Sequence, residues 1–165
     1  MNIPNDLKIV SPESIPRGQD CPLDDLPALY KLGTSMQIIC DKEMGIGLAA
    51  VQLGVPLNFF VMNYNKIYRF FVNCTYTPTS ENKCKCIEGC LSLRTPEGKL
   101  RHFEVERYEN IIVKGKELVA SPKLQLIDLE YVPIDYCRIV FQHEIDHAFE
   151  ILISQTGNEV FLWSK

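Results

Sequence analysis

The chain has 165 residues, of which 46% are hydrophobic and 23% charged, and a formal net charge of −4. That length suits one domain with an adequate core, the apolar content excludes a wholly disordered chain, and the acidic balance supplies no globally basic face for nucleic acid. No basic start with an apolar leader appears and no apolar run is long enough to span a bilayer, so a soluble cytoplasmic protein with no membrane partner and no specific DNA binding is expected.

From Leu7 to Gly18 the chain is punctuated by Pro and Ser and reads as an irregular edge, not a separate domain. Between Leu23 and Cys40, residues Leu26, Leu29, Tyr30, Gly33, Met36, Gln37 and Cys40 permit an amphipathic helix, with Asp24 and Asp25 suited to its first turn. Such a helix would cover a sheet. Met44 to Gly54 follows, where Gly45 and Gly47 let the backbone turn sharply or approach a ligand and Gln52 brings an amide that donates or accepts. A phosphate loop would end in Gly-Lys-Ser/Thr and a dinucleotide loop needs a strand, loop and helix in order, and neither is present. Taken alone, the segment is equally a plain glycine-rich turn.

Pro56 to Met62 and Tyr68 to Val72 read as strands joined by a turn at Asn63 to Lys66, and Asn73 to Lys83 reads as polar and irregular. The next stretch, Cys84 to Leu93, holds three of the seven cysteines. An odd count without a secretion signal argues for reduced thiols, at least one of them free to serve as ligand or nucleophile. Cys84, Cys86 and Cys90 have the spacing of part of a structural zinc knot, but no fourth cysteine follows at a suitable distance. Glu104 to Val113 and Lys123 to Glu130 are further predicted strands, with loops at Lys114-Gly115-Lys116 and Ala120-Ser121-Pro122. The charges from Lys99 to Glu109, Arg107 among them, have the look of a solvated face.

The last predicted element is a helix running from Ile134 to Leu152, with Pro133 suited to a first helical position. It carries Gln142-His143-Glu144-Ile145-Asp146-His147, with the metal candidates along its buried stripe and Gln142 mostly off it. Two imidazoles four residues apart stand on one helix face and can reach a single ion, with Glu144 beside it to accept a proton from water. A catalytic zinc or iron centre takes a third protein ligand. The only other histidine, His102, lies in a charged run, so the missing ligand is sought among cysteines and carboxylates. These elements make an α+β domain of mixed or antiparallel strands around a central metal-binding helix.

Three blocks, Gly45 to Gln52, Glu88 to Ser92 and Gln142 to His147, together resemble the peptide deformylase family, whose pattern they match in full and in order. The resemblance covers roughly Leu7 through Leu152 and implies a single catalytic metallohydrolase domain over residues 1–165. It implies Cys90, His143 and His147 as metal ligands, Glu144 as general acid/base, and Gln52 with the Leu91 backbone N–H as oxyanion donors. By the same resemblance Ile46, Tyr136, Ile139 and Val140 line a methionine pocket, backbone around Gly45, Ile46 and Gly47 pairs with the peptide, and Glu88 pairs with Arg107 beside the cleft. The implied reaction removes the N-formyl group from the initiator methionine of nascent chains. Its cofactor is one divalent ion, Fe(2+) natively, with Zn(2+), Ni(2+) or Co(2+) in preparations, and the implied setting is a monomer in transient contact with the ribosome. A metalloprotease and a noncatalytic metal- or peptide-binding module are the alternatives. Two residues depart from the pattern: Arg94 stands where the family usually has proline, and Glu150 where a glycine is frequent. The short tail after His147 implies a divergent or viral member without the bacterial C-terminal helix.

Overall fold

The computed structural model describes residues 3–4 and 6–162. In chain order the elements are α1 (Leu26–Lys42), β1 (Gly47–Ala49), β2 (Phe59–Tyr64), β3 (Ile67–Pro78), β4 (Lys83–Arg94), β5 (Leu100–Tyr108), β6 (Ile111–Val119), β7 (Gln125–Tyr131), α2 (Cys137–Ala148), α3 (Ile153–Thr156) and β8 (Asn158–Val160). The strands form two antiparallel sheets, one ordered β1-β2-β3-β6-β7 and the other β4-β5-β8. The α+β architecture around a buried helix is therefore as the sequence indicates.

α1 begins where Asp25 caps it, its carboxylate accepting from the Ala28 N–H at 3.2 Å, and Pro27 needs no partner in the first turn. Leu29, Leu32, Met36 and Cys40 recur on one face and are fully buried against the odd-numbered side chains of the central hairpin, Phe59 and Val61, and against Val72 of β3. The opposite face of that hairpin presents Phe60, Met62 and Phe71 to Phe141 and Ile145 of α2. Phe71 and Phe141 meet edge to face with ring centroids 4.8 Å apart. A sheet covered on both faces explains why Phe59 to Met62 is one unbroken apolar run rather than an alternating one.

Several expected boundaries and loops differ in the structure. The segment Asn73 to Lys83 is largely strand: β3 continues to Pro78 through a bulge at which Asn73 takes φ 52° and its side-chain oxygen accepts from the Cys21 N–H at 2.7 Å. Glu104 to Val113 is two strands in different sheets, broken at Glu109-Asn110, and Lys114-Gly115-Lys116 lies within β6 instead of forming a loop. Cys84 to Leu93 is the body of β4. The last helix starts at Cys137, not Ile134, because Asp135 adopts φ 51°, outside the helical region. It ends at Ala148, and beyond it the described residues hold only the single turn α3 and the short β8, which pairs with β5.

Candidate metal and peptide site

α2 is the element on which the site is built. Gln142, Glu144, Asp146 and His147 are all buried, an arrangement that water cannot rescue and that therefore needs partners for each polar group. Gln142 satisfies itself against β5, donating to the Tyr108 carbonyl and accepting from the Tyr108 N–H, both at 3.0 Å. His143 and His147 project from successive turns with ring centroids 4.8 Å apart. Cys90 arrives from β4, its Sγ 3.4 Å from His147 Nε2. The ligand atoms of Cys90, His143 and His147 all lie within 4.8 Å of one another.

That spacing suits a metal. An ion about 2.0–2.3 Å from imidazole nitrogen and thiolate sulfur sets its ligands roughly 3.3–3.8 Å apart in a tetrahedron, within a small side-chain rotation of what is seen. The donor set, two imidazoles and a thiolate, is one that binds zinc or iron. His143 is further prepared: Glu88 Oε2 lies 2.8 Å from its Nδ1, which fixes the tautomer with the proton on Nδ1 and leaves Nε2 to face the centre.

Glu88 is held in turn. Arg107 on β5 donates to it through Nε at 2.7 Å and Nη2 at 2.8 Å, and its Nη1 donates to Asp146. The Tyr76 hydroxyl on β3 completes the set with a 3.0 Å bond to Asp146 Oδ1. Burial by itself would raise the Glu88 carboxyl, but the Arg107 fork and His143 outweigh it and hold the group at about 2. Asp146 is the second counter-ion of Arg107. Arg107 itself does not line the cavity. It sits behind Glu88, buried and fully engaged, in the pairing beside the cleft that the resemblance implies.

Glu144 has no such partners. Burial pushes its carboxyl up to about 7, the pull of His143 being smaller, and Oε2 is buried without a hydrogen-bond partner. Gly47 on β1 makes room for it, because a Cβ at that position would fall on the Glu144 carboxylate. Gln52 sits on the turn after β1 with its Oε1 anchored by the Ala49 N–H at 2.9 Å, which aims Nε2 at Cys90 Sγ (3.4 Å) and Ser92 Oγ (3.2 Å).

A cavity of about 330 Å³ opens onto these groups. Gly45, Ile46, Gly47, Gln52, Glu88, Leu91, Tyr136, Ile139, Val140, His143 and Glu144 line it, so the structure brings together all the residues the sequence singled out except Arg107 and the buried ligands Cys90 and His147. It adds Met44, Ile87, Gly89, Leu100 and His102. A period-two reading of β4 would have found Ile87 and Gly89, which alternate onto one face with Leu91. Tyr136 is backed by Tyr64, the two rings stacked 6.3 Å apart.

Both walls are open strand edges. Among the described residues β1 pairs only with β2 and β4 only with β5, and the β4–β5 register shifts between Gly89 and Arg94, the stretch that holds Leu91.

With that geometry in hand, a family model described as polypeptide deformylase matches residues 18–160. The chain belongs to the peptide deformylase family. It is 33% identical over 150 residues to a peptide deformylase of Mesorhizobium japonicum, the match covering 87% of this chain and 79% of that one. A Plasmodium falciparum peptide deformylase in complex with an inhibitor superposes with a TM-score of 0.73 at 27% identity, over 91% of this chain and 88% of the other. A probable peptide deformylase from Synechococcus phage S-SSM7 gives a TM-score of 0.72 at 27% identity, covering 92% and 99%. The family is metal-dependent, and among the described residues Cys90, His143 and His147 are grouped closely enough to hold an ion. Among the described residues no helix is long and apolar enough to cross a membrane.

Proposed function

We propose that this deformylase removes the N-formyl group from the initiator methionine of nascent chains, releasing formate, with the residues in the following roles. The observation that carries the reading is the convergence of three ligand atoms, an unpartnered buried carboxylate and an anchored amide donor on one cavity. Cys90, His143 and His147 would hold a divalent cation, which would supply a Lewis acid for the formyl carbonyl and lower the pKa of water. Glu144 takes the proton of the attacking water on its free Oε2 and returns it to the departing amine nitrogen. Gln52 Nε2, exchanging one of its contacts with Cys90 Sγ and Ser92 Oγ, and the Leu91 N–H donate to the oxygen on which negative charge develops, so the barrier falls as that charge appears.

The peptide lies extended between the open edges of β1 and β4, pairing through main-chain groups around Gly45, Ile46 and Gly47. Backbone pairing tolerates any residue after methionine. Selectivity comes from the apolar wall of Ile46, Tyr136, Ile139 and Val140, which accepts the methionine side chain. Fe(2+) is the ion we assign to the native protein, with Zn(2+), Ni(2+) or Co(2+) as replacements the same donors accept. A substrate emerging from the ribosome places the enzyme in the cytoplasm, as a monomer with transient ribosome contact.

The test is formate release from formyl-Met-Ala-Ser by protein purified anaerobically and loaded with each metal in turn. Wild type is expected to release formate, to leave acetyl-Met-Ala-Ser and internal peptide bonds intact, and to lose about 10²–10⁴-fold in kcat on Glu144→Gln while metal stoichiometry is unchanged. Full metal content with no formate released sinks the reading. Cleavage of internal bonds would select the metalloprotease alternative.

A further inference from the structure

Arg94, the last residue of β4, stands where the family pattern usually carries proline, and its guanidinium is not a loose surface charge. Nε donates to the Leu91 carbonyl at 3.2 Å, Nη1 to the Gly98 carbonyl at 2.8 Å and Nη2 to Glu43 Oε2 at 2.8 Å. Glu43 caps the C-terminal end of α1 and immediately precedes Met44 to Gly47, one wall of the cavity. Leu91 belongs to the other wall. The two walls already touch at this point, since a Cβ on Gly45 would come within 2.9 Å of Leu91 Cδ1.

We propose that Arg94 is a positioning residue: a single guanidinium straps the two walls together and fixes the backbone of Leu91, whose N–H is aimed at the developing oxyanion. The inference rests on the function proposed above. The planar fork is what allows three acceptors in different directions to be held at once. Lysine would supply a point charge for Glu43 and leave one or both carbonyls without a donor. Proline would supply no donor at all. The segment that Arg94 holds also spans the register shift of the β4–β5 ladder between Gly89 and Arg94, where an irregular ladder restrains Leu91 less than a regular one, and the side chain adds to that restraint.

The variants are Arg94→Met, Arg94→Lys, Glu43→Ala and the double variant Arg94→Met/Glu43→Ala in the full chain. Two measurements are made: kcat and KM on formyl-Met-Ala-Ser, and amide hydrogen exchange of the Gly45–Gly47 and Leu91 segments without substrate. The expected result is a fall of about tenfold in kcat for Arg94→Met with KM within about twofold, because an oxyanion donor is misaimed and not removed. Arg94→Lys should recover little of the loss, the double variant should fall short of the product of the singles, and exchange should quicken at Leu91 before the rest of the chain. A lower melting temperature with kcat unchanged would mark a merely structural contact and overturn the proposal. Multiplicative effects of the two single variants, or unaltered exchange at Leu91, would do the same. Should Arg94→Met fail to fold, Glu43→Ala, which opens the strap from its other end, decides in its place. Should wild type release no formate, the function reading falls, and exchange at Leu91 still decides whether the strap exists.

Discussion

Arg107 has every face of its guanidinium committed, to Glu88 through two nitrogens and to Asp146 through the third, in a region from which water is largely excluded. Replacing it by methionine leaves two buried carboxylates without a counter-charge, which costs more than the pair itself contributes. Arg107→Met should lower stability by about 3–5 kcal/mol in urea titration. Because Glu88 then no longer orients His143, metal affinity should drop about 10–100-fold in competition with a chelator. Unchanged affinity would show that Glu88 holds His143 unaided. Gly47 makes a complementary case, since its missing side chain is the space in which the Glu144 carboxylate sits. Gly47→Ala is expected to cut formate release by at least about 10²-fold, on the scale of losing the general base, while thermal unfolding shifts little; activity near wild type would mean that the carboxylate has another place to go. Legibility differed sharply between these residues. His143, Glu144 and His147 form a local pattern that spacing exposes. Cys90 was placed only through the family blocks, and the Arg107–Asp146 pair spans 39 positions with nothing local to announce it.

α2 ends in a Schellman arrangement. The Ile151 N–H reaches the Asp146 carbonyl at 3.0 Å and the Glu150 N–H the His147 carbonyl at 3.1 Å, which requires Glu150 to sit at φ 63°. Glycine is the usual occupant of that left-handed position, and the departure seen in the sequence is thus a backbone cost, offset only by an exposed 3.4 Å contact between Glu150 and Arg17. Glu150→Gly should stabilise the protein by about 1 kcal/mol in chemical denaturation with the metal centre unaffected. A loss of stability would mean that the Arg17 contact outweighs the strain. Element boundaries were the weakest part of the sequence reading. Both long helices show themselves by apolar periodicity and the central hairpin by its unbroken apolar run. The β5–β6 turn does not, because Tyr108-Glu109-Asn110 carries neither glycine nor proline, and the start of α2 was misplaced because the left-handed Asp135 leaves no compositional trace.

Across the molecule, the core places three thiols far from water. Burial pushes Cys21, Cys40 and Cys74 each from the ordinary value near 9 up to about 12. The sign follows from which state holds the protons: below pH 9 neither state ionises and stability is flat, whereas above it the unfolded chain releases protons that the folded chain retains. Stability should therefore fall between pH 9 and 12, by up to about 4 kcal/mol per pH unit when all three thiols contribute. Urea midpoints from pH 8 to 10.5 check this, and Cys74→Ala should remove about a third of the slope. A flat profile would place these thiols in contact with water. The α+β class and the central helix were legible because both follow from apolar patterning, whereas the division into two sheets depends on which edges pair and so was not. That division gives the chain of contacts Tyr76–Asp146–Arg107–Glu88–His143 its importance, since it starts in the five-stranded sheet, passes through α2 and ends in the three-stranded sheet before returning to the helix. Sliding either sheet would tear apart buried charges, so the frame is rigid before any ion arrives. That frame presents two imidazoles and a thiolate, donors that more than one divalent metal accepts, so its geometry alone selects no single ion.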